Sequence, residues 1–193
     1  MNSLFRKKEV LTVPNLLSAL RLAMIPVIIW LYLGKNNYYA ATAVIILSGI
    51  TDIADGFIAR KFNMISNFGK ILDPIADKFT QGMLIITLCF RRRLMIPLII
   101  LFVIKEFIMV VLGTITLKKH HSVNSSKWHG KLNTVVLYAT MLLLILFPDF
   151  PQSWEKVMFF ACVVTMTLST VLYFRFYISV WKNEDAGEKL NTM

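Results

Sequence analysis

Acidic residues and cysteine are scarce in this chain. Its 193 residues include 11 Asp and Glu and two Cys, against 21 Lys and Arg. Cys89 and Cys162 both lie in apolar runs, so a disulfide scaffold is excluded and two buried thiols are expected. Charged residues make up 17% of the chain and apolar residues 56%, a combination that excludes a disordered tail or a fibrous repeat.

The apolar residues are gathered into long runs, which predict an all-α, polytopic membrane protein. The mean hydropathy of +0.63 is too high for a soluble globule with an ordinary core. Each run approaches the ~20 residues that a membrane-spanning helix needs, which is about twice the length of a barrel strand. The six predicted transmembrane helices are approximately Asn15–Leu33, Tyr38–Ile58, Ile71–Phe90, Leu94–Leu117, Leu132–Phe147 and Val157–Trp181.

Segments at the two ends complete the predicted domain organisation. Residues 1–13 form a basic interfacial segment, residues 14–182 form the transmembrane domain, and residues 183–193 form a polar tail. The amino-terminal residues lack a long apolar run with a cleavage site, so no signal peptide is expected. A multi-pass protein of the bacterial cytoplasmic membrane is therefore predicted.

The basic residues of the loops predict the orientation of the helices. With a cytoplasmic amino terminus, most loop Lys and Arg lie on the inner side, as the positive-inside rule requires. Six spans then place both termini in the cytoplasm. The net charge of +10 suits anionic membrane lipids, and nucleic acid is not an expected partner. The cluster Arg91-Arg92-Arg93 would lie outside, which argues against this orientation.

The scarce carboxylates are concentrated where a membrane protein accommodates them least easily. Four of them lie at the ends of predicted spans: Asp52, Asp55, Asp73 and Asp77. An ionised carboxylate at the bilayer centre costs at least about 2.5 kcal/mol, so the cluster needs a compensating reason. Spacings of three and four residues place each pair on one face of a helix, and the short connection makes the two helices antiparallel neighbours.

Facing pairs of carboxylates would repel each other unless cations lay between them. Oxygen ligands favour Mg²⁺ or Mn²⁺, and four carboxylates could hold two such ions around a phosphoryl or pyrophosphate group. Gly56 and Gly69 lie on the same helix faces, where a ligand could approach closely. A proton relay or a cation transporter could use the same carboxylates. Their clustering at one cytoplasmic edge favours a site that is open to a water-soluble substrate.

These residues carry a resemblance to a known family. The pattern Asp52-x2-Asp55-Gly56-x2-Ala59-Arg60-x8-Gly69-x3-Asp73-x3-Asp77 matches, at every defined position, the signature of the CDP-alcohol phosphotransferase family. The resemblance implies an enzyme that displaces CMP from a CDP-linked alcohol, commonly CDP-diacylglycerol, and joins the phosphatidyl group to a second alcohol. It also implies a homodimer.

The resemblance implies roles for individual residues. Asp52, Asp55 and Asp73 would bind two Mg²⁺ or Mn²⁺ ions. Asp77 would complete the metal site and act as general base on the acceptor hydroxyl. The residues expected to bind CDP-diacylglycerol are Asn15, Ser18, Gly56, Ala59, Arg60, Ser66 and Gly69. For Asn15 and Ser18, capping of the first helix is an equally good interpretation.

Two further motifs concern the acceptor. Lys105-Glu106-Phe107 resembles the Arg-Glu-Phe of bacterial phosphatidylglycerophosphate synthases, and Gly130-Lys131-Leu132-Asn133-Thr134 resembles their Gly-Lys-x-Lys-Thr. Lys105 and Lys131 are therefore predicted to bind the acceptor, with glycerol 3-phosphate as the first candidate. Asn133 replaces a lysine, which also resembles the cardiolipin synthases of the family, whose acceptor is phosphatidylglycerol.

Two expectations concern other polar residues. Lys105 and Glu106 are neighbours in a predicted helix and could pair with each other within the bundle, but they point in different directions, so each is expected to face its own partner. His120, His121 and His129 fall in a basic loop, where solvated side chains without a catalytic role are expected.

Overall fold

The computed structural model describes residues 13–61, 69–120 and 128–191, and all regular elements in these ranges are helices. The long helices are α1 (Val13–Ile29), α2 (Tyr38–Lys61), α3 (Gly69–Cys89), α4 (Ile96–His120), α5 (Trp128–Leu146) and α6 (Gln152–Asn191). A π-helical turn, Trp30–Gly34, continues α1, and a 3₁₀ turn, Arg93–Met95, precedes α4. The all-α prediction is confirmed.

Several of the described helices are suited to a lipid bilayer. Four contain stretches that are long and apolar enough to cross a membrane: Asn15–Gly34, Arg93–Thr116, Trp128–Leu146 and Gln152–Val180. α2 contributes a shorter apolar stretch, Tyr38–Ala54. The carboxylates near the end of α2 and the start of α3 interrupt the apolar pattern of these two helices.

The connection between α1 and α2 is a tight reversal of the chain. The π-helical turn is closed by a hydrogen bond from the Lys35 amide to the Trp30 carbonyl, at 3.0 Å. Asn36 follows with a φ of 52°, in the left-handed region that Asn tolerates better than most residues. The side-chain oxygen of Asn37 then accepts a hydrogen bond from the Ala40 amide at 3.1 Å and caps α2.

The helices form two units. The first unit comprises the described residues up to Arg93 together with Met141–Phe150, and α1 packs there against both α2 and α3. The second unit comprises the described residues of Leu94–Thr140 and those from Pro151 onwards, and α4 packs there against α6.

The buried face of α1 changes from polar to apolar along the helix. Its members recur every three or four residues, as one helix face requires. They are Asn15, Ser18 and Arg21, followed by Ile25, Ile28 and, in the π-helical turn, Tyr32. Ala41 and Ile45 of α2 and Leu84, Ile85 and Leu88 of α3 are also buried. The polar half of this face is the part of α1 that reaches the aspartates.

Arg91 binds the turn that connects α1 and α2. Its Nη1 donates to the Tyr38 hydroxyl at 3.0 Å and its Nη2 to the Tyr32 carbonyl at 3.3 Å. The same nitrogen donates to the side-chain oxygen of Asn36. The guanidinium also lies over the rings of Tyr32 and Tyr38, with 5.2 and 5.4 Å to the ring centroids. Arg91 therefore holds the end of α3 against this turn.

Arg92 makes a similar attachment to the segment after α5. Its Nη2 donates to the carbonyls of Phe147 and Pro148, at 3.0 and 2.8 Å. Two of the clustered arginines thus bind groups of the protein itself. These contacts give Arg91 and Arg92 a structural role that does not depend on the side of the membrane on which they lie.

In the second unit, α5 and α6 run antiparallel and contact each other at two levels. The rings of His129 and Tyr173 stack edge to face with centroids 4.4 Å apart, and the Cys162 thiol donates to the Thr140 hydroxyl at 3.3 Å. Gly130 makes room for the first contact, because a Cβ there would lie 2.6 Å from the Tyr173 hydroxyl. The expectation of a solvated His129 is wrong, since α5 begins earlier than the apolar pattern predicts and its first turn is packed against α6.

Candidate active site

The candidate site lies where α1, α2 and α3 meet in the first unit. Asp52 and Asp55 are in the last three turns of α2, and Asp73 and Asp77 are in the first three turns of α3. α1 packs against both helices. Asp52 lies close enough to Asp73 and Asp77 for their charges to interact. The structure therefore brings together carboxylates that are up to 25 positions apart in the sequence.

Asp52 is paired with a buried arginine of α1. Arg21 Nη2 forms a salt bridge with Asp52 Oδ1, and the Arg21 side chain is 2% exposed whereas that of Asp52 is 49% exposed. A buried guanidinium needs a counter-charge, because desolvation of an isolated ion is expensive. Asp52 supplies that charge and still presents about half of its side chain to the surroundings.

Asp73 accepts a hydrogen bond from Ser18. The distance from the Ser18 hydroxyl to Asp73 Oδ1 is 2.6 Å, and Ser18 is fully buried. In the described part of the chain α1 runs from Val13, so both Asn15 and Ser18 lie inside the helix. The helix-capping interpretation of these two residues is therefore wrong. The direct role of Ser18 visible here is to hold a carboxylate of α3.

Asp77 is contacted by Gln81, one turn further along α3. The Gln81 amide nitrogen Nε2 donates to Asp77 Oδ2 at 3.1 Å, and Gln81 is completely buried. Each of Asp52, Asp73 and Asp77 thus has a buried polar side chain as a neighbour.

Arg21 and Gln81 were not identified as site residues from the sequence. A signal for both was available: each is a polar residue in an otherwise apolar helix, where it needs a partner. Gln81 also lies four positions after Asp77, the spacing at which helical side chains meet. The partner of Arg21 is on another helix, so its identity depends on how α1 packs.

The structure describes the side chains of only some of the other residues predicted to bind CDP-diacylglycerol. Asn15 is buried in α1, and Gly69 is the buried first residue of α3. The helical backbone of α2 includes the positions whose side chains lie outside the described set: Asp55, Gly56, Ala59 and Arg60. Ser66 lies outside the described residues altogether.

The donor atoms of the site are suited to a hard divalent cation. Among the side chains that the structure describes, no three Asp, Glu, His or Cys residues converge on one point as a preformed metal cluster. Asp55 is not in that set, so the predicted group of four carboxylates is not visible as a whole. The carboxylate and hydroxyl oxygens of Asp52, Asp73 and Ser18 are ligands of the kind that Mg²⁺ prefers. A cation would also relieve the repulsion between the aspartates.

The residues predicted to bind the acceptor belong to the second unit. Lys105 is buried in α4, and its Nζ lies 2.6 Å from Glu106 Oε1. The two side chains pair with each other, contrary to the expectation that each faces a different partner. Lys131 is exposed near the start of α5, whereas Asn133 is 2% exposed. Of the two lysines predicted to bind the acceptor, Lys131 is therefore more accessible than Lys105.

The chain is similar to a family of known enzymes. Residues 11–174 match the family described as CDP-alcohol phosphatidyltransferase. The matched range includes α1 to α5 in full and most of α6.

Individual curated relatives carry two different names. A protein of Aquifex aeolicus named CDP-diacylglycerol–glycerol-3-phosphate 3-phosphatidyltransferase is 35% identical over 133 residues, or 68% of this chain and 74% of the relative. A protein of Streptomyces coelicolor named cardiolipin synthase (CMP-forming) is 34% identical over 143 residues, or 71% and 66%. A Rickettsia bellii protein with the first name is 46% identical over 77 residues, or 39% and 42%.

Proposed function

Because the chain belongs to the CDP-alcohol phosphatidyltransferase family, we propose that it transfers a phosphatidyl group from CDP-diacylglycerol to glycerol 3-phosphate and releases CMP. The observation that carries this proposal is that Asp52 lies close enough to Asp73 and Asp77 for their charges to interact, where α1 packs against α2 and α3. The name of the Aquifex aeolicus relative states this activity for that protein. Phosphatidylglycerophosphate would be the lipid product.

The aspartates are proposed to hold two Mg²⁺ or Mn²⁺ ions. Asp52, Asp55, Asp73 and Asp77 would be the ligands. When bound, the ions would neutralise negative charge on the pyrophosphate of the donor lipid. Ser18 and Arg21 support this role, because they hold Asp73 and Asp52 from the buried side of α1.

Asp77 is proposed to act as the general base. Its carboxylate accepts the proton of the acceptor hydroxyl while the acceptor oxygen forms a bond to the phosphorus that carries diacylglycerol. The bond from this phosphorus to the bridging oxygen of CMP breaks, and CMP leaves with the electron pair. One P–O bond is formed and one is broken, so no further reactant is needed.

The remaining predicted contacts are assigned to the donor lipid. Asn15, Gly56, Ala59, Arg60, Ser66 and Gly69 are proposed to line the cytidine and phosphate site, together with Ser18. The family resemblance is the reason for this assignment. Asn15, buried three residues before Ser18 on α1, and Gly69, buried four residues before Asp73 on α3, support it.

Phosphatidylglycerol is the second candidate acceptor, which would make the chain a cardiolipin synthase. The charge of Lys105 is balanced by Glu106 at 2.6 Å, and Asn133 offers a neutral side chain where a lysine would add charge. Both features reduce the positive charge available to the phosphate of glycerol 3-phosphate. Lys131, which is exposed, supports glycerol 3-phosphate instead. Lys105 and Lys131 stay predicted acceptor residues in either case.

The proposed setting is a bacterial cytoplasmic membrane crossed six times. The four apolar stretches and the shorter one in α2 support a multi-pass protein, and α3 would be the remaining span. We place both termini and the aspartates on the cytoplasmic side, where water-soluble glycerol 3-phosphate is available. A homodimer is proposed from the family resemblance.

Competition between acceptors tests the proposed activity. Purified protein would receive CDP-diacylglycerol, glycerol 3-phosphate and phosphatidylglycerol together, with Mg²⁺ or Mn²⁺, and the lipid products would be identified by mass spectrometry. Phosphatidylglycerophosphate is the expected product. Cardiolipin as the sole product would show that phosphatidylglycerol is the acceptor. The absence of any new lipid and of CMP would overturn the proposed activity.

A matched pair of lysine variants tests the acceptor assignment. Lys131→Gln should raise the KM for glycerol 3-phosphate and leave the KM for CDP-diacylglycerol unchanged. Lys156→Gln, at an exposed position near the start of α6, is the control and should change neither value. Equal behaviour of the two variants would remove Lys131 from the acceptor site.

A further inference from the structure

We propose that Gln81 is a positioning residue that holds Asp77 for proton abstraction. The inference rests on the proposed function, since it assigns a purpose to a contact with the proposed general base. Gln81 lies four residues after Asp77 on α3, and its Nε2 donates to Asp77 Oδ2 at 3.1 Å. A carboxylate only accepts hydrogen bonds, so the amide NH₂ is the end of Gln81 that must face it.

The burial of Gln81 shows that this contact has a cost. The Gln81 side chain is 0% exposed, and its Oε1 has no hydrogen-bond partner in the described part of the protein. A buried, unpaired carbonyl oxygen costs about 1–3 kcal/mol. Leu84 and Leu88 continue the same face of α3 and avoid that cost with apolar side chains. Gln81 therefore breaks an apolar pattern at the position that meets Asp77.

The contact restricts the movement of the Asp77 carboxylate. The two oxygens of a carboxylate exchange by rotation about the last side-chain bond, and a buried donor fixed to Oδ2 opposes that rotation. Gln81 is itself enclosed and cannot follow such a movement easily. A base held in one orientation needs less reorganisation before it accepts a proton, which accelerates the chemical step without tightening the binding of the donor lipid.

The variant Gln81→Met separates this role from a structural one. Methionine has a similar length but neither the donor nor the unpaired oxygen. We expect kcat for CMP release to fall about 10-fold or more, with the KM for CDP-diacylglycerol changed by less than about twofold. The midpoint of thermal unfolding without substrate should stay the same or rise, because the unpaired carbonyl has been removed.

The matched control is Thr87→Val on the same helix. Thr87 is also buried, and its hydroxyl donates to the Met83 carbonyl at 2.7 Å, a local contact within α3. This variant should leave kcat unchanged. In the double variant Gln81→Met with Asp77→Asn, the loss of Gln81 should add nothing to the loss caused by Asp77→Asn, because Gln81 acts through Asp77.

The results for Gln81→Met distinguish a positioning role of Gln81 from a structural one. Unchanged kcat in Gln81→Met would overturn the inference. So would a fall in kcat accompanied by a lower unfolding midpoint or by failure to fold, since that pattern identifies a structural residue. If the unaltered protein released no CMP with any acceptor, the proposed function would fail together with the inference. An active protein that is insensitive to Gln81→Met would remove the inference alone.

Discussion

At the scale of single residues, the site consists of one exposed carboxylate, Asp52, and two half-buried ones, Asp73 and Asp77, each held by a buried polar partner. Arg21 pairs with Asp52, Ser18 donates to Asp73, and the third pair is Gln81 with Asp77. Polar groups inside a membrane helix are expensive unless they are paired. The pairing therefore explains how an apolar protein keeps a cluster of carboxylates at one place.

The serines Ser18 and Ser169 offer a matched comparison. Both are fully buried, but Ser18 donates to Asp73 at 2.6 Å and the Ser169 hydroxyl has no partner among the described residues. We expect Ser18→Ala to lower kcat for CMP release about 10- to 100-fold, because Asp73 loses a fixed orientation. Ser169→Ala should keep full activity and should not lower the unfolding midpoint.

CMP release and thermal unfolding of the two purified variants check this difference. The stability loss in Ser18→Ala should be near 1 kcal/mol, the usual contribution of one hydrogen bond. Equal activity of the two alanine variants would show that Asp73 does not depend on Ser18.

The sequence predicted the carboxylates of the site better than their partners. Asp52 and Asp77 were identified because three- and four-residue spacings in apolar runs are visible in a single sequence. Ser18 is predicted as a contact of the donor lipid, whereas its hydrogen bond to Asp73 on α3 cannot be read from the periodicity of α1. Arg21 was missed for the same reason, and its salt bridge depends on the packing of α1 against α2.

At the scale of helices, α1 connects the chemistry to the fold. Its polar half faces the aspartates, and its apolar half packs in the core that continues to Tyr32. The six long helices of the described residues overlap the six predicted apolar runs, because hydrophobic length is a strong signal, but α6 extends beyond its run at both ends. The start of α5 was missed because His129 and Gly130 are not apolar, although the contact with Tyr173 buries them.

Arg91 provides a prediction at this scale. Arg91→Ala removes hydrogen bonds to Tyr38, Tyr32 and Asn36, which join the end of α3 to the α1–α2 connection. We expect a loss of stability of about 1–2 kcal/mol, measured by thermal unfolding in detergent. The KM for CDP-diacylglycerol should be unchanged, because Arg91 is at the end of α3 opposite to Asp73 and Asp77.

Arg93→Ala is the control for Arg91→Ala. Arg93 belongs to the same cluster but is exposed in the 3₁₀ turn. Its replacement should leave the unfolding midpoint unchanged. If both variants lost the same stability, the loss would be due to the removal of positive charge at this end of α3. The hydrogen bonds of Arg91 would then not explain it.

At the scale of the whole molecule, the positions of the charged residues are more informative about membrane orientation than the net charge is. The chain has a net charge of +10, yet Arg91 and Arg92 bind tyrosine and carbonyl groups of the protein. The positive-inside rule describes basic residues of loops that interact with the membrane surface. Because Arg91 and Arg92 bind groups of the protein, their predicted place on the outer side is weaker evidence against the proposed orientation than the number of charges alone suggests.

Cysteine labelling tests that orientation. In a background with Cys89 and Cys162 replaced by Ala, Asp149→Cys lies in the exposed connection before α6, and Gly187→Cys lies near the carboxyl end of the chain. A membrane-impermeant maleimide added to intact cells should label Asp149→Cys. It should label Gly187→Cys only after the membrane is permeabilised. The reverse pattern would place the aspartates on the outer side.

The most direct measurement of the proposed chemistry is CMP release by aspartate variants of the purified protein. With CDP-diacylglycerol, glycerol 3-phosphate and Mg²⁺ or Mn²⁺, Asp77→Asn should lose about 100- to 10,000-fold in rate, and Asp73→Asn should also be strongly impaired. Asp149→Asn, an exposed carboxylate outside the site, should retain the full rate. Full CMP release by Asp77→Asn and Asp73→Asn would contradict the assignment of catalysis to the aspartate cluster.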